Sequence, residues 1–122
     1  MSAARHFDTV VFDERDEAKM LFFARTTPSG DIEDYLLITR VADGLTDLLM
    51  LEINEQQVSG EDLVNDATLT GNVLTLEFGA PIAELGGETD AIVTFDNSPG
   101  NRASIEAGVF AVIGDKLTGG HA

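Results

Sequence analysis

Apolar and polar residues alternate along most of the chain, and a period of two marks half-buried strands. The alternation predicts a first strand over 7–12 (FDTVVF), closed by a charged turn over 13–17 (DERDE). A more continuous apolar run over 18–24 (AKMLFFA) reads as a second, largely buried strand. Thr27-Pro28-Ser29-Gly30-Asp31 then places Pro and Gly where turns use them. Third and fourth strands follow over 34–41 (DYLLITRV) and 47–54 (DLLMLEIN), separated by a turn at Asp43-Gly44. Residues 56–60 (QQVSG) lack alternation and read as a loop.

The sharpest local signal is Gly71-Asn72 between alternating segments 63–70 and 73–78. A Gly-first two-residue loop suits a type II′ hairpin turn. It sets Leu69 opposite Leu74 and Ala67 opposite Leu76, with Thr68 and Thr75 on the other face. PIAELGG over 81–87 reads as a short helical turn, and 91–95 (AIVTF) as a last strand. Ser98-Pro99 is a helix N-cap followed by Pro at the first helical position. Ile105, Val109, Val112 and Ile113 recur at helical spacing with Phe110 beside them, and Gly114 is a stop. Gly108 inside this helix weakens it by about 1 kcal/mol. The tail over 115–122 is expected to fray. The expectation is a single α+β, mostly β domain over 1–122: an antiparallel sheet of six to seven strands with a C-terminal helix packed on one face.

Composition narrows the function classes. The 122 residues are 43% apolar, too many for a disordered acidic tail. A net charge of −15 opposes nucleic-acid binding. Apolar runs stay well short of the ~20 residues a spanning helix needs. The absence of cysteine excludes disulfides, thiolate catalysis and thiolate metal sites. MSAARHF carries no apolar targeting stretch, so a bacterial-type cytoplasmic location is expected. The charge is unevenly placed. Residues 1–40 hold eight acids and five Lys or Arg, whereas 41–101 hold twelve acids and no Lys, Arg or His. Such a field attracts basic surfaces and speeds encounter with them. A solubilising coat, or a salt-rich host, produces the same profile. Because the surplus coincides with the β region, it reads as the property of one face.

Candidate chemistry is sparse. His121 is in the tail and His6 opens the first strand, so neither sits in turn chemistry around a nucleophile. The clusters Asp13-Glu14-Arg15-Asp16-Glu17 and Asp31-Ile32-Glu33-Asp34 lack calcium-loop spacing and read as solvated turns. Accordingly, no catalytic residue, metal ligand set or cofactor is expected. One segment is unusual for a strand: Leu51-Glu52-Ile53-Asn54-Glu55-Gln56-Gln57 projects polar side chains from a strand end into the next loop. Glu52, Asn54, Glu55, Gln56, Gln57, Glu61 and Asp62 are the candidate partner-binding residues, a hydrogen-bonding acidic edge for a basic protein surface. A solvent face followed by a polar loop is the competing reading.

The order of features resembles the immunity protein 10 family of bacterial polymorphic toxin systems. The resemblance is carried by Asp34-Tyr35-Leu36-Leu37-Ile38-Thr39-Arg40, by Leu51-Glu52-Ile53-Asn54-Glu55-Gln56 and by the hairpin ending Val73-Leu74-Thr75-Leu76-Glu77-Phe78. Ala83-Glu84-Leu85, the strand Ala91-Ile92-Val93-Thr94-Phe95-Asp96 and a closing helix follow in the family's order. It covers about residues 34–113. In the loop after the second string the family carries an aromatic and two glycines, where this chain keeps Ser59-Gly60. The resemblance implies a mainly β, cytoplasmic, non-enzymatic immunity protein that binds and neutralises one cognate toxin. The alternatives are a small-ligand-binding or enzymatic β domain, and a structural homo-oligomer, a homodimer included, pairing through an exposed strand edge.

Overall fold

The strand alternation resolves into two sheets rather than one. A computed structural model of the chain describes residues 4–16, 18–42, 47–54, 56–60, 63–83 and 87–114. The described residues form β1 (Ala4–Phe7), β2 (Thr9–Arg15), β3 (Ala18–Thr26), β4 (Ile32–Ala42), β5 (Asp47–Ile53), β6 (Gln56–Gly60), β7 (Val64–Thr70), β8 (Val73–Ile82), β9 (Glu88–Phe95) and α1 (Pro99–Ile113). A five-stranded antiparallel sheet has the order β2-β3-β4-β5-β6, and a four-stranded sheet the order β1-β9-β8-β7. The mostly β, α+β class with a C-terminal helix is as expected. The single six- to seven-stranded sheet is corrected to nine strands in two sheets among the described residues.

The division starts at Asp8. The first strand expected over 7–12 is broken there: β1 pairs in parallel with β9, and β2 pairs antiparallel with β3. The Asp96 N–H donates to the Phe7 carbonyl at 3.1 Å, while the Asp8 N–H donates to the Ala24 carbonyl at 3.1 Å. One extended segment thus serves both sheets. The Asp8 carboxylate holds the junction by accepting from the Thr26 N–H (2.9 Å) and from the hydroxyls of Thr9 (2.6 Å) and Thr26 (3.0 Å). These bonds, that from Thr9 foremost, hold its pKa below the usual 3.8.

Two turns are tighter than the sequence suggests. Arg15 is already paired with Ala18, and the chain turns at Asp16, at φ 52°. Arg15 therefore belongs to a strand and not to a longer charged turn. The stretch 56–60 is β6, an edge strand paired with β5, and not a loop. Its connection begins at Asn54, at φ 46°, a left-handed conformation asparagine tolerates. The β7–β8 hairpin has the expected register, Leu69 with Leu74, Ala67 with Leu76 and Thr68 with Thr75. Gly71 at φ 60°, followed by Asn72 at negative φ, fits the type II′ turn. Of the short helical turn expected over 81–87, Pro81 and Ile82 instead end β8, Ala83 is helical, and 84–86 lie outside the described residues. Pairing with β7 stops at Phe78, so the missing Pro81 N–H interrupts no ladder on that side.

Inward positions of both sheets and α1 form one core. Phe23 stands between Phe7 (ring centroids 6.0 Å apart) and Phe95 (6.2 Å), both from the other sheet. Helix α1 starts at the expected Ser98 cap, whose hydroxyl accepts the Asn101 N–H at 3.2 Å. It packs against the inner side of β2, β3 and β4 through Ile105, Gly108, Val109, Val112 and Ile113. A Cβ at position 108 would lie 2.7 Å from Leu21 Cδ1 and 2.8 Å from Phe12 Cδ1, so glycine permits the helix to lie this close. Phe110, expected beside the core residues, is instead exposed. At the far end Arg40 Nη1 donates to the Val112 carbonyl at 3.2 Å, a cation at the negative end of the helix. The expected frayed tail over 115–122 lies outside the described residues, as do Asp43 and Gly44.

Candidate functional site on the outer face of the five-stranded sheet

Because α1 takes the inner side of β2–β4, the odd positions of β2 and β4 and the even ones of β3 and β5 face outward. Strand register lines up Val11, Phe22, Leu37, Glu52 and Gln57 in one cross-strand row. The neighbouring row holds Asp13, Met20, Thr39 and Met50. An outward face so rich in apolar residues departs from the usual polar-out alternation of antiparallel sheets. Val11 remains 46% exposed and Ile32, at the start of β4, 55%. Between them Phe22, Leu37 and Met20 are partly exposed, and an apolar patch of this kind marks an interaction site.

Two shallow, open grooves share Phe22 and Leu37 on this face. The larger, of about 610 Å³, is lined by Phe22, Ile32, Glu33, Tyr35, Leu37, Glu52 and Asn54. The smaller, of about 330 Å³, is lined by Val11, Asp13, Arg15, Met20, Phe22 and Leu37. Phe22 and Tyr35 form a tilted aromatic pair, centroids 5.7 Å apart at 33°. The Tyr35 hydroxyl donates to Glu52, and the Tyr35 N–H donates to Asn54 Oδ1 at 2.9 Å. The Asn54 amide donates to Asp34, which also faces Arg25 at 3.4 Å. Arg25 lies 3.5 Å from Glu33. This end of the face is therefore a fixed polar rim around an apolar floor.

The expected partner-binding residues divide accordingly. Glu52 is half-buried and Asn54 exposed, both on the larger groove. Gln57 is exposed, opposite Glu52 on the edge strand. Gln56 opens β6 opposite Ile53, and its side chain lies outside the described residues. Glu55, Glu61 and Asp62 lie outside them altogether. The apolar half of the site (Val11, Met20, Phe22, Tyr35, Leu37) was not among the expected residues. Its signal was present in the unbroken apolar runs of β3 and β4, in which both strand faces are apolar.

The acidity does not belong to one face. Asp66, Glu77 and Asp90 form a cross-strand row on the outer side of the four-stranded sheet. A hydrogen bond with Asp66, desolvation, and the charges of Asp66 and Asp90 hold the Glu77 carboxyl above the ordinary 4.5. A raised folded-state pKa means that the folded chain holds the proton more tightly than the unfolded one. This carboxyl's contribution to stability therefore falls as pH rises from about 4.5 through the folded pKa. Glu77→Gln is expected to raise the urea midpoint at pH 7, with a gain that shrinks toward pH 4. An equal gain at both pH values would contradict the charge explanation.

His6 has partners that the sequence did not reveal. Its Nε2 lies 2.7 Å from Asp96 Oδ1, and its Nδ1 lies 2.8 Å from Thr94 Oγ1. These groups link β1 to β9 on an exposed part of the four-stranded sheet, on the other sheet from the grooves. No helix among the described residues is long and apolar enough to cross a membrane. Comparison of the chain with protein-family models, with curated proteins and with solved structures finds no match.

Proposed function

We propose that the chain is a non-catalytic binding protein that docks a basic protein partner on the outer face of its five-stranded sheet. In this reading the partner is a toxin domain, and the chain is a cytoplasmic immunity protein that neutralises it by occupation. The observation that carries the reading is the joining of a partly exposed apolar face (Val11, Met20, Phe22, Leu37) to the Tyr35–Glu52–Asn54 rim on a chain of net charge −15. Apolar floor and charged rim together are the anatomy of a protein interface. The open shape of the grooves suits a partner's protruding side chains better than an enclosed small molecule, which favours burial of most of its surface. The strings that resemble the immunity protein 10 family contribute to this face, since Tyr35, Leu37 and Glu52 lie in them.

The test is co-expression with the basic product of the adjacent gene, followed by sizing, calorimetry and growth of cells that express that product. A stable complex and rescued growth are expected. Phe22→Asp places a carboxylate on the apolar floor and is expected to weaken the complex by about thirtyfold or more, as for a central interface residue. Failure to form a complex or to rescue growth overturns the function. An undiminished affinity of Phe22→Asp overturns the face.

A further inference from the structure

We infer that the larger groove is the seat of an arginine side chain from the basic partner, which deepens the reading above and rests on it. Three features of the groove point to a planar cation on an apolar stem. The first is aromatic: Phe22 and Tyr35 present adjoining rings, 5.7 Å between centroids. An aromatic face attracts a guanidinium through its quadrupole and through stacking. The second is the carboxylate. Glu52 lines the groove with one oxygen engaged by the Tyr35 hydroxyl, which fixes the position of the group. Among the described residues no Lys, Arg or His forms an ion pair with Glu52, whereas Glu33 on the same groove already lies 3.5 Å from Arg25. The third is the floor: Leu37 and the half-exposed Ile32 offer apolar surface to a methylene stem.

Arginine meets all three features at once. Its stem covers Leu37, its plane stacks on the aromatic pair, and its N–H groups donate to Glu52. Lysine fits less well, because a compact, strongly hydrated ammonium gains less from the ring faces. Of the two carboxylates lining the groove, Glu33 faces Arg25 at the rim, so the charge available to a partner's cation is that of Glu52. The smaller groove carries a cation of its own, Arg15.

The test uses the full chain, labelled with nitrogen-15 and titrated with N-acetyl-arginine methylamide, with the matching lysine derivative and with the neutral citrulline derivative. The arginine probe is expected to shift the amides of Phe22, Tyr35, Leu37 and Glu52. Its half-saturation should come about tenfold lower than that of lysine. Citrulline should leave these amides unmoved. Glu52→Gln should weaken the arginine response about tenfold, and Phe22→Leu should weaken it while leaving the floor apolar. Equal shifts with citrulline, shifts centred on Asp66, Glu77 and Asp90 instead, or an unchanged response in Glu52→Gln would each overturn the inference. A chain that binds its protein partner without binding the arginine probe loses only this inference. One that binds the probe but no toxin loses only the function proposed above.

Discussion

Asn101→Ala is expected to destabilise the fold by about 3–5 kcal/mol, far more than an average polar substitution. Asn101 is only 6% exposed. Its Oδ1 accepts the Val10 N–H at 2.9 Å, and its Nδ2 donates to the carbonyls of Asp8 (2.9 Å) and Asp96 (2.8 Å). Those three backbone groups come from the break between β1 and β2 and from the end of β9. One side chain thus ties the first turn of α1 to both sheets. Alanine leaves the three groups without that partner, at about 1–3 kcal/mol each where water cannot reach them. The Asn101 N–H still finds the Ser98 hydroxyl, so the helix cap itself survives. The urea midpoint measures the loss, and faster hydrogen exchange at Val10 locates it. A loss below about 1 kcal/mol would show that water replaces the amide. Asn101→Asp separates charge from shape. It keeps the acceptor for Val10 but sets a carboxylate against two carbonyls, so it should be worse at pH 7 than at pH 4.

How much of this was legible in the sequence depends on the range of the interaction. The Gly71-Asn72 hairpin was, because a two-residue turn fixes register and both faces agree across it. The Ser98 cap and the buried positions Ile105, Val109, Val112 and Ile113 were, because helix signals are local. The split into two sheets was not. It rests on the pairing of Ala4–Phe7 with residues 92–95, nearly the whole chain away, and on a break at Asp8 that the apolar pattern runs straight through. β6 was hidden because Val58, which packs against the core, is the one large apolar residue in its sequence QQVSG, so an edge strand reads as a polar loop. Within the site, Glu52 and Asn54 stood out as polar residues in a strand. Phe22, Leu37 and Met20 did not, since an apolar residue on the outer side of a strand looks like core until the fold shows which face α1 packs on. The acidic surplus in 41–101 was equally ambiguous. The fold sends Glu52 to one sheet's outer side and Asp66, Glu77 and Asp90 to the other's.

Phe22 and Phe23, adjacent in β3, should separate stability from binding. Phe23→Ala is expected to cost about 3–5 kcal/mol, which in a domain of this size lowers the melting temperature by roughly 15 °C. Phe23 is fully buried, and its ring fills the space between Phe7 and Phe95, so its removal opens a cavity at the contact between the two sheets. Neither neighbour can collapse into the gap cheaply, because both are themselves fully buried and held in β1 and β9. Phe22→Ala removes a ring that packs on Tyr35 at the half-exposed outer side and should cost only about 1 kcal/mol. The effects should reverse in partner binding: large for Phe22, and for Phe23 no more than the loss of folded protein explains. Calorimetric unfolding and partner titration of both variants read the two effects separately. If Phe22→Ala proved as destabilising as Phe23→Ala, the outer face would be a second core covered by part of the chain, and the docking surface would be lost. If Phe22→Ala left both stability and binding intact, the partner would have to be sought at the strand edges instead.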